Sequence, residues 1–307
     1  MRPTRPRRAF LHAVLLIAAA TAVAAQYALA LRGTLRPGWW HAPAAAAGPA
    51  LSGDDLASAS GLDAAFGRIG YRLDTVARGG AVPRLRLEAL PSDMADLPEG
   101  DARKAVFLRL MLPLVLEADE EIARDRRRLE AVAQRAARDG ALAPAEAAWV
   151  ADLASRYDVR PGPGAVERLL RRVDTVPPSL ALAQAALETG WGTSRLVRRD
   201  NNLFGHTVET GDGNTTRSAT FATAGDAVRA YVHNLNTHRA YRDLRRARAR
   251  AHARGTVADG TTLAGALAPY SELGRAYVGA VRTIIHDNTL ERFDGARLQG
   301  AGTAGSI

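Results

Sequence analysis

The sequence predicts a mainly α-helical protein carrying one small β-hairpin, and three stretches predict it. From Val176 to Leu187 the residues are apolar almost all round, with Gln184 the only hydrogen-bonding side chain past Ser179; such a run reads as a helix buried on every side. Asp101 to Gly140 sets Val106, Leu110, Leu114, Val115 and Ile122 at helical spacing. His206 to Phe221 alternates Thr, Val and Ser around Gly211 and Gly213, the pattern of a hairpin with a Gly-Asp-Gly turn.

At the N-terminus, Arg2, Arg5, Arg7 and Arg8 precede a charge-free run from Ala9 to Leu31. A basic segment ahead of an apolar run is an export signal. A run near the ~20 residues that span a bilayer also suits an uncleaved anchor with its basic end in the cytoplasm. Residues 1–31 are therefore expected to be a signal peptide, with Ala22-Val23-Ala24 and Ala28-Leu29-Ala30 as cleavage sites, or a membrane anchor through residues 9–31. Either way the rest of the chain works outside the cytoplasm, in the periplasm or cell envelope, with or without an inner-membrane tether. Residues 32–83, rich in Ala, Gly, Pro and Ser, are expected to be a low-complexity linker with at most a short helix between Gly61 and Arg78.

Residues 84–172 read as a helical support region. Pro113 is expected to kink the 101–140 helix or divide it. Acids lead bases by about one turn between Glu117 and Glu130, as in a solvated helix. Ala143 to Tyr157, with Trp149 inward, and Pro161 to Arg172 continue the helical pattern. A compact domain follows over residues 173–293. Asp174 or Thr175 can cap the apolar helix, Pro177 and Pro178 are tolerable in its first turn, and Gly190 can supply the left-handed residue that ends it. Thr223 and Asp226 form a capping box ahead of a helix with Ala227, Val228, Tyr231 and Leu235 on one face. Arg242 to Arg254 holds six arginines, read as a solvated helix or a surface drawn to anions. Ala276 to Asp287 is a helix with Tyr277, Val278, Val281, Ile284 and Ile285 inward, and residues 294–307 are expected to be a frayed tail.

The formal net charge of +9 and a pI near 10.6 favour anionic partners. The arginine-rich segment lacks interleaved aromatics and any motif of known docking geometry, so no nucleic acid is expected. Cysteine is absent, which excludes disulfides, thiolate metal sites and cysteine nucleophiles together. His233 and His238 are five apart and point in different directions on a helix, and the seven histidines show no ligand spacing. No metal, no cofactor and a monomer are expected.

Glu188 is the residue that ordinary helix physics would not choose. It stands within two residues of the helix-ending Gly190, where a carboxylate faces the negative end of the helix dipole. Ala185, Leu187 and Trp191 would take water from it, so both effects favour its protonated form. A carboxylic acid kept partly neutral near pH 7 is what protonates a leaving sugar oxygen in glycoside cleavage.

The segment ALAQAALETGWGTSRL followed by NNLFG resembles the signature of the Bax-like branch of the bacterial glucosaminidase family, which includes flagellar muramidase-type enzymes that cut peptidoglycan. An Ala-rich helix ending in Glu-Ser/Thr-Gly-Trp-Gly precedes Asn-Leu-Phe-Gly by about ten residues, and similarity covers roughly residues 84 to 292. The resemblance implies a lysozyme-like α+β catalytic domain with a small β-hairpin lobe, with Glu188 as catalytic acid and peptidoglycan glycan strands as partner. It further implies a groove tyrosine at Tyr277 and a second carboxylate on the hairpin, for which Glu209 and Asp212 are candidates. Gln184 lies one turn before Glu188; Trp191, Phe204 and Tyr231 carry rings able to face sugars; Asn202 either hydrogen-bonds substrate or holds its turn. These five form the expected substrate-binding set. The short hairpin leaves three readings open: a hydrolase cutting a β-1,4 bond after N-acetylglucosamine, a wall-binding protein without turnover, and a non-hydrolytic lytic transglycosylase.

Overall fold

A computed structural model describes residues 58–210, 216–270 and 273–300; the expected export segment, residues 1–31, lies outside them. Among the described residues no helix is long and apolar enough to cross a membrane. The architecture is mainly α with one two-stranded antiparallel sheet. Its centre is helix α6, Pro178–Thr189, buried at every residue from Pro178 to Ala186. Ala and Leu at nearly every turn leave it no wet face, so neighbours close in all round. Those neighbours are α3 (Asp101–Asp139), α10 (Gly260–Ala264), α11 (Arg275–Asp287) and the short turn Leu290–Phe293.

The N-terminus of α6 is held differently from the sequence expectation. Its cap is Pro177, which has no capping side chain, while Asp174 bonds the Thr175 amide outside the helix. The free amides are taken by distant carboxylates: Val176 N–H donates to Asp119 Oδ1 at 3.0 Å, and Ser179 N–H to Asp294 Oδ1 at 2.7 Å. Carboxyl oxygens suit this end as acceptors, since the helix dipole is positive there. Burial pushes Asp119 up to about 8, opposed by the Val176 amide. Arg248 adds a second clamp, donating to the carbonyls of Asp174 and Thr175 and to Asn236.

Helix α3 runs unbroken for 39 residues, about 58 Å. Pro113 sits inside it without dividing it, because packing on both sides of the proline holds the helix; Leu112, Leu114 and Val115 are buried. Its first half joins the main core. Its second half shares a smaller core with α4 (Pro144–Arg156) and α5 (Ala165–Arg172), built on Leu129, Val132, Leu153 and Leu169. The charged stretch between the two is less solvated than its pattern suggests. Arg229 of α8 (Ala224–Thr237) forks onto Glu121 at 2.9 and 3.1 Å, and Arg126 donates to Leu170 and Val173 carbonyls.

Within the expected linker, residues from Ser58 onward are folded. Helices α1 (Ala59–Arg68) and α2 (Leu73–Ala77) precede Val82, and Leu62 and Phe66 are fully buried. Burying such side chains contributes about 1.5–3 kcal/mol each, so α1 belongs to the main core. The expected tail is anchored as far as Gly300, since Val82 N–H donates to Arg297 and Gln299 N–H to Val82, each at 2.8 Å. Composition misled at both ends: small and polar residues alternate there with a few large ones that carry the packing. The remaining elements are α7 (Arg195–Asp200), β1 (Thr207–Glu209), β2 (Thr216–Ser218) and α9 (Arg242–Ala253). The hairpin pairs Thr207 with Ser218 and Glu209 with Thr216; its turn, with Asp212, lies outside the described residues. The Thr223 capping box forms as expected.

Removing the long-range cap should loosen the central helix. Asp294→Ala is expected to lower unfolding stability by about 1 kcal/mol, and Asp294→Asn by less, measured by urea denaturation.

Candidate active site

Helix α6 ends in a turn that three consecutive left-handed residues make possible: Gly190 at φ 57°, Trp191 at φ 61° and Gly192 at φ 85°. Gly192 is doubly constrained, because a Cβ there would lie 3.2 Å from both Leu90 and Phe107. A bulky aromatic in this region is strained. Trp191 is held there by its N–H bond to Ala186 O at 3.0 Å and by edge-on packing against Phe107 at 5.7 Å. Thr189 closes the turn, its hydroxyl donating to Ala185 O and accepting from Gly192 N–H at 2.7 and 2.8 Å. A serine could make the same two bonds, which accounts for either residue at that place in the motif.

This turn leaves Glu188 half-buried in the last turn of α6. Its carboxyl terminates a directed chain of hydrogen bonds. The Tyr231 hydroxyl donates to Gln184 Oε1 at 2.7 Å, Gln184 Nε2 donates to the Tyr277 hydroxyl at 2.8 Å, and Tyr277 donates to Glu188 Oε1 at 3.1 Å. Beneath it Tyr231 stacks on Phe204, ring centres 3.9 Å apart and planes within 6°. Burial pushes the Glu188 carboxyl up to about 8, and the Tyr277 hydroxyl opposes that rise. The direction expected from sequence is present, with loss of water as its main cause.

Four members of the expected substrate-binding set lie in the interior. Gln184, Phe204 and Tyr231 are 0% exposed and Asn202 is 2%. Gln184 and Tyr231 spend their polar atoms on the chain to Glu188, and Phe204 spends its ring face on Tyr231. Asn202 settles its alternative in favour of the turn: Oδ1 accepts from His206 N–H at 2.7 Å, and Nδ2 donates to His206 O and Ser218 Oγ. None of the four presents a surface to a ligand. Trp191 alone is half-buried. Tyr277 is 2% exposed with its hydroxyl on Glu188. Glu209 sits on β1, and its side chain lies outside what is described. Among the described residues no cluster of His, Asp and Glu could hold a metal ion.

Sequence reasoning missed one neighbour of this centre. Lys104 places its ammonium 5.2 Å from the Trp191 ring centre; it is the single lysine of the chain, which was a signal available to be read. Nearby, Tyr241 is fully buried, bonds Asn234 and lies close enough to act on Tyr231. Two cavities lined by described residues lie away from this centre. One of about 890 Å³ opens at the N-terminal end of α6, roughly 15 Å of helix away from Glu188.

Comparison with known proteins gives a concordant result. A family model described as mannosyl-glycoprotein endo-β-N-acetylglucosaminidase matches residues 165–290. The chain is 34% identical over 206 residues to Protein bax of Escherichia coli strain K12, covering 64% of this chain and 73% of that protein. No solved structure matches.

The raised carboxyl has a stability consequence whose sign is fixed. Glu188 ionises near 4.5 when unfolded and near 8 in the fold, so its contribution is fully present below the lower value and is lost as pH rises toward the upper one. Glu188→Gln is therefore expected to unfold at a higher temperature than wild type at about pH 8, with the difference shrinking at about pH 4, measured by calorimetry.

Proposed function

Because the chain belongs to the glucosaminidase family, in its Bax-like branch, we propose that it is a cell-envelope glycosidase that cuts a β-1,4 bond after N-acetylglucosamine in peptidoglycan glycan strands, with Glu188 as general acid. The observation that carries this reading is the Tyr231-Gln184-Tyr277 chain ending on a carboxyl that burial keeps protonated near neutral pH. With Oε1 occupied by the Tyr277 hydroxyl, the proton belongs on Oε2, the oxygen left to face a substrate. Transfer of that proton to the glycosidic oxygen lets the leaving sugar depart without negative charge. The carboxylate left behind keeps the Tyr277 hydrogen bond, which favours the charged form just when it appears.

The departing cation needs a partner. Glu209 or Asp212 on the hairpin is the proposed second carboxylate; in its absence the sugar's own acetamido oxygen or a positioned water takes that place. Trp191 is the proposed sugar platform, since it follows Glu188 by three residues and is only half-buried. The export reading of residues 1–31 supplies the route to the substrate, with the anchor as the alternative to a cleaved signal.

A second reading uses only the group already described, the Glu188 carboxyl with one oxygen bonded to Tyr277. A single acid/base suffices for non-hydrolytic cleavage, in which a hydroxyl of the substrate itself attacks and an anhydro sugar results.

Digestion of purified sacculi followed by mass spectrometry of the released fragments tests both readings. Wild type is expected to release fragments, carrying an added water if hydrolysis operates and lacking it if the second reading holds. Glu188→Gln is expected to be slower by about 10²- to 10⁴-fold; equal release by this variant, or wall binding with no release by either protein, contradicts the proposal. Tyr277→Phe removes the bond that favours the carboxylate, so the alkaline limb of the rate profile is expected to move to higher pH, whereas a tyrosine that merely fills space would leave it in place.

A further inference from the structure

A cleft of about 740 Å³ lies where α5, on the smaller core, meets α9, on the main one. Eight arginines line it and only one carboxylate, Asp158. None of Glu188, Tyr277 or Trp191 contributes to its wall. Arginines on a helix surface are ordinarily solvated and separately placed; these converge from two helices and the preceding loop on one concavity.

The deepest members are fixed in place without being neutralised. Arg245, 7% exposed, donates through Nη1 to the carbonyls of Leu235 and His238. Arg172 donates through Nη1 to the carbonyls of Tyr157 and Thr237. Carbonyl acceptors orient a guanidinium while leaving its full positive charge. Burial, together with Arg172, Arg248 and Arg242, holds Arg245 down to about 10. The charge facing Arg245 from each packed element is thus positive; Asp158 acts on Arg172, and Arg246 is paired with Asp243. Arg171, Arg242 and Arg250 stand exposed at the rim.

Like charges held together at a cost in repulsion, each with donors to spare, make a preformed receptor for oxyanions, which guanidinium forks bind bidentately. The volume falls within the range of small-ligand sites, so it suits a molecule or chain segment inserted between two helices better than the broad face of a duplex or bilayer. We propose that this cleft is an anion-binding site, separate from Glu188, that takes a ligand carrying two or more carboxylate or phosphate groups.

The test uses the full chain, with inorganic tripolyphosphate as the phosphate probe and citrate as the carboxylate probe, in titration calorimetry and thermal melting. Wild type is expected to bind at least one probe and to melt at a higher temperature with it, since the ligand relieves the repulsion; the stronger probe identifies the preferred group. R171Q/R242Q/R250Q removes three exposed rim charges at little cost to helix propensity and is expected to bind about ten-fold or more weakly, with the melting shift abolished. R78Q/R86Q/R138Q, with the same change in net charge on other surfaces, is expected to bind like wild type. Equal losses in both triple variants would reduce the effect to net charge and overturn the site. So would absence of binding by both probes, or retention of double-stranded DNA that neither probe displaces.

Discussion

The structure turns on one half-buried carboxyl group at the end of a helix enclosed along nearly all its length. Around Glu188, at the C-terminal end of α6, Ala and Leu of the helix and the tyrosines packed on it supply no counter-charge. Glu188 therefore keeps its proton, opposed only in part by the single hydroxyl that donates to it. In the proposed role, a raised acid balanced by one donor releases its proton and holds the charge afterwards. The rest of the fold maintains that balance. The Asp119 and Asp294 caps fix one end of α6, and the three left-handed residues at 190–192 fix the other.

The tyrosine chain shows how a buried polar network can bear on a carboxyl group that most of its members do not touch. Tyr231 and Gln184 lie in the core, yet each bond is satisfied in one direction, toward Glu188. Partial satisfaction would leave unpaired polar atoms in a dry interior, which is costly. The network therefore specifies how α8, α6 and α11 sit relative to one another as much as it tunes an acid.

Much of this was legible in the sequence where the cause was local. The buried helix, its glycine stop, the capping box at Thr223 and the inward face of α11 follow from spacing and turn chemistry, and all stand where those rules put them. The acid was legible because a carboxylate after an apolar run violates the pattern around it. What escaped depended on distant partners. The caps from Asp119 and Asp294 cross 57 and 115 residues of chain. The burial of Gln184, Asn202, Phe204 and Tyr231 depends on neighbours that no window along the chain contains, so polar or aromatic type alone suggested substrate contact. Pro113 marked a break that packing overrode, and at residues 58–83 average composition concealed the few large side chains that anchor the segment. The arginine run from 242 to 254 also looked uniformly solvated, yet Arg245 and Arg248 are buried.

The central claim is that Glu188 bears its proton at neutral pH in the folded protein. Carbon-13 NMR titration of the glutamate side-chain carboxyls, with the Glu188 signal assigned by its loss in Glu188→Gln, measures this directly. The account predicts a midpoint near 8, far above the other glutamates. A midpoint near the ordinary 4.5 would show a carboxylate already ionised and in contact with water, and would contradict it.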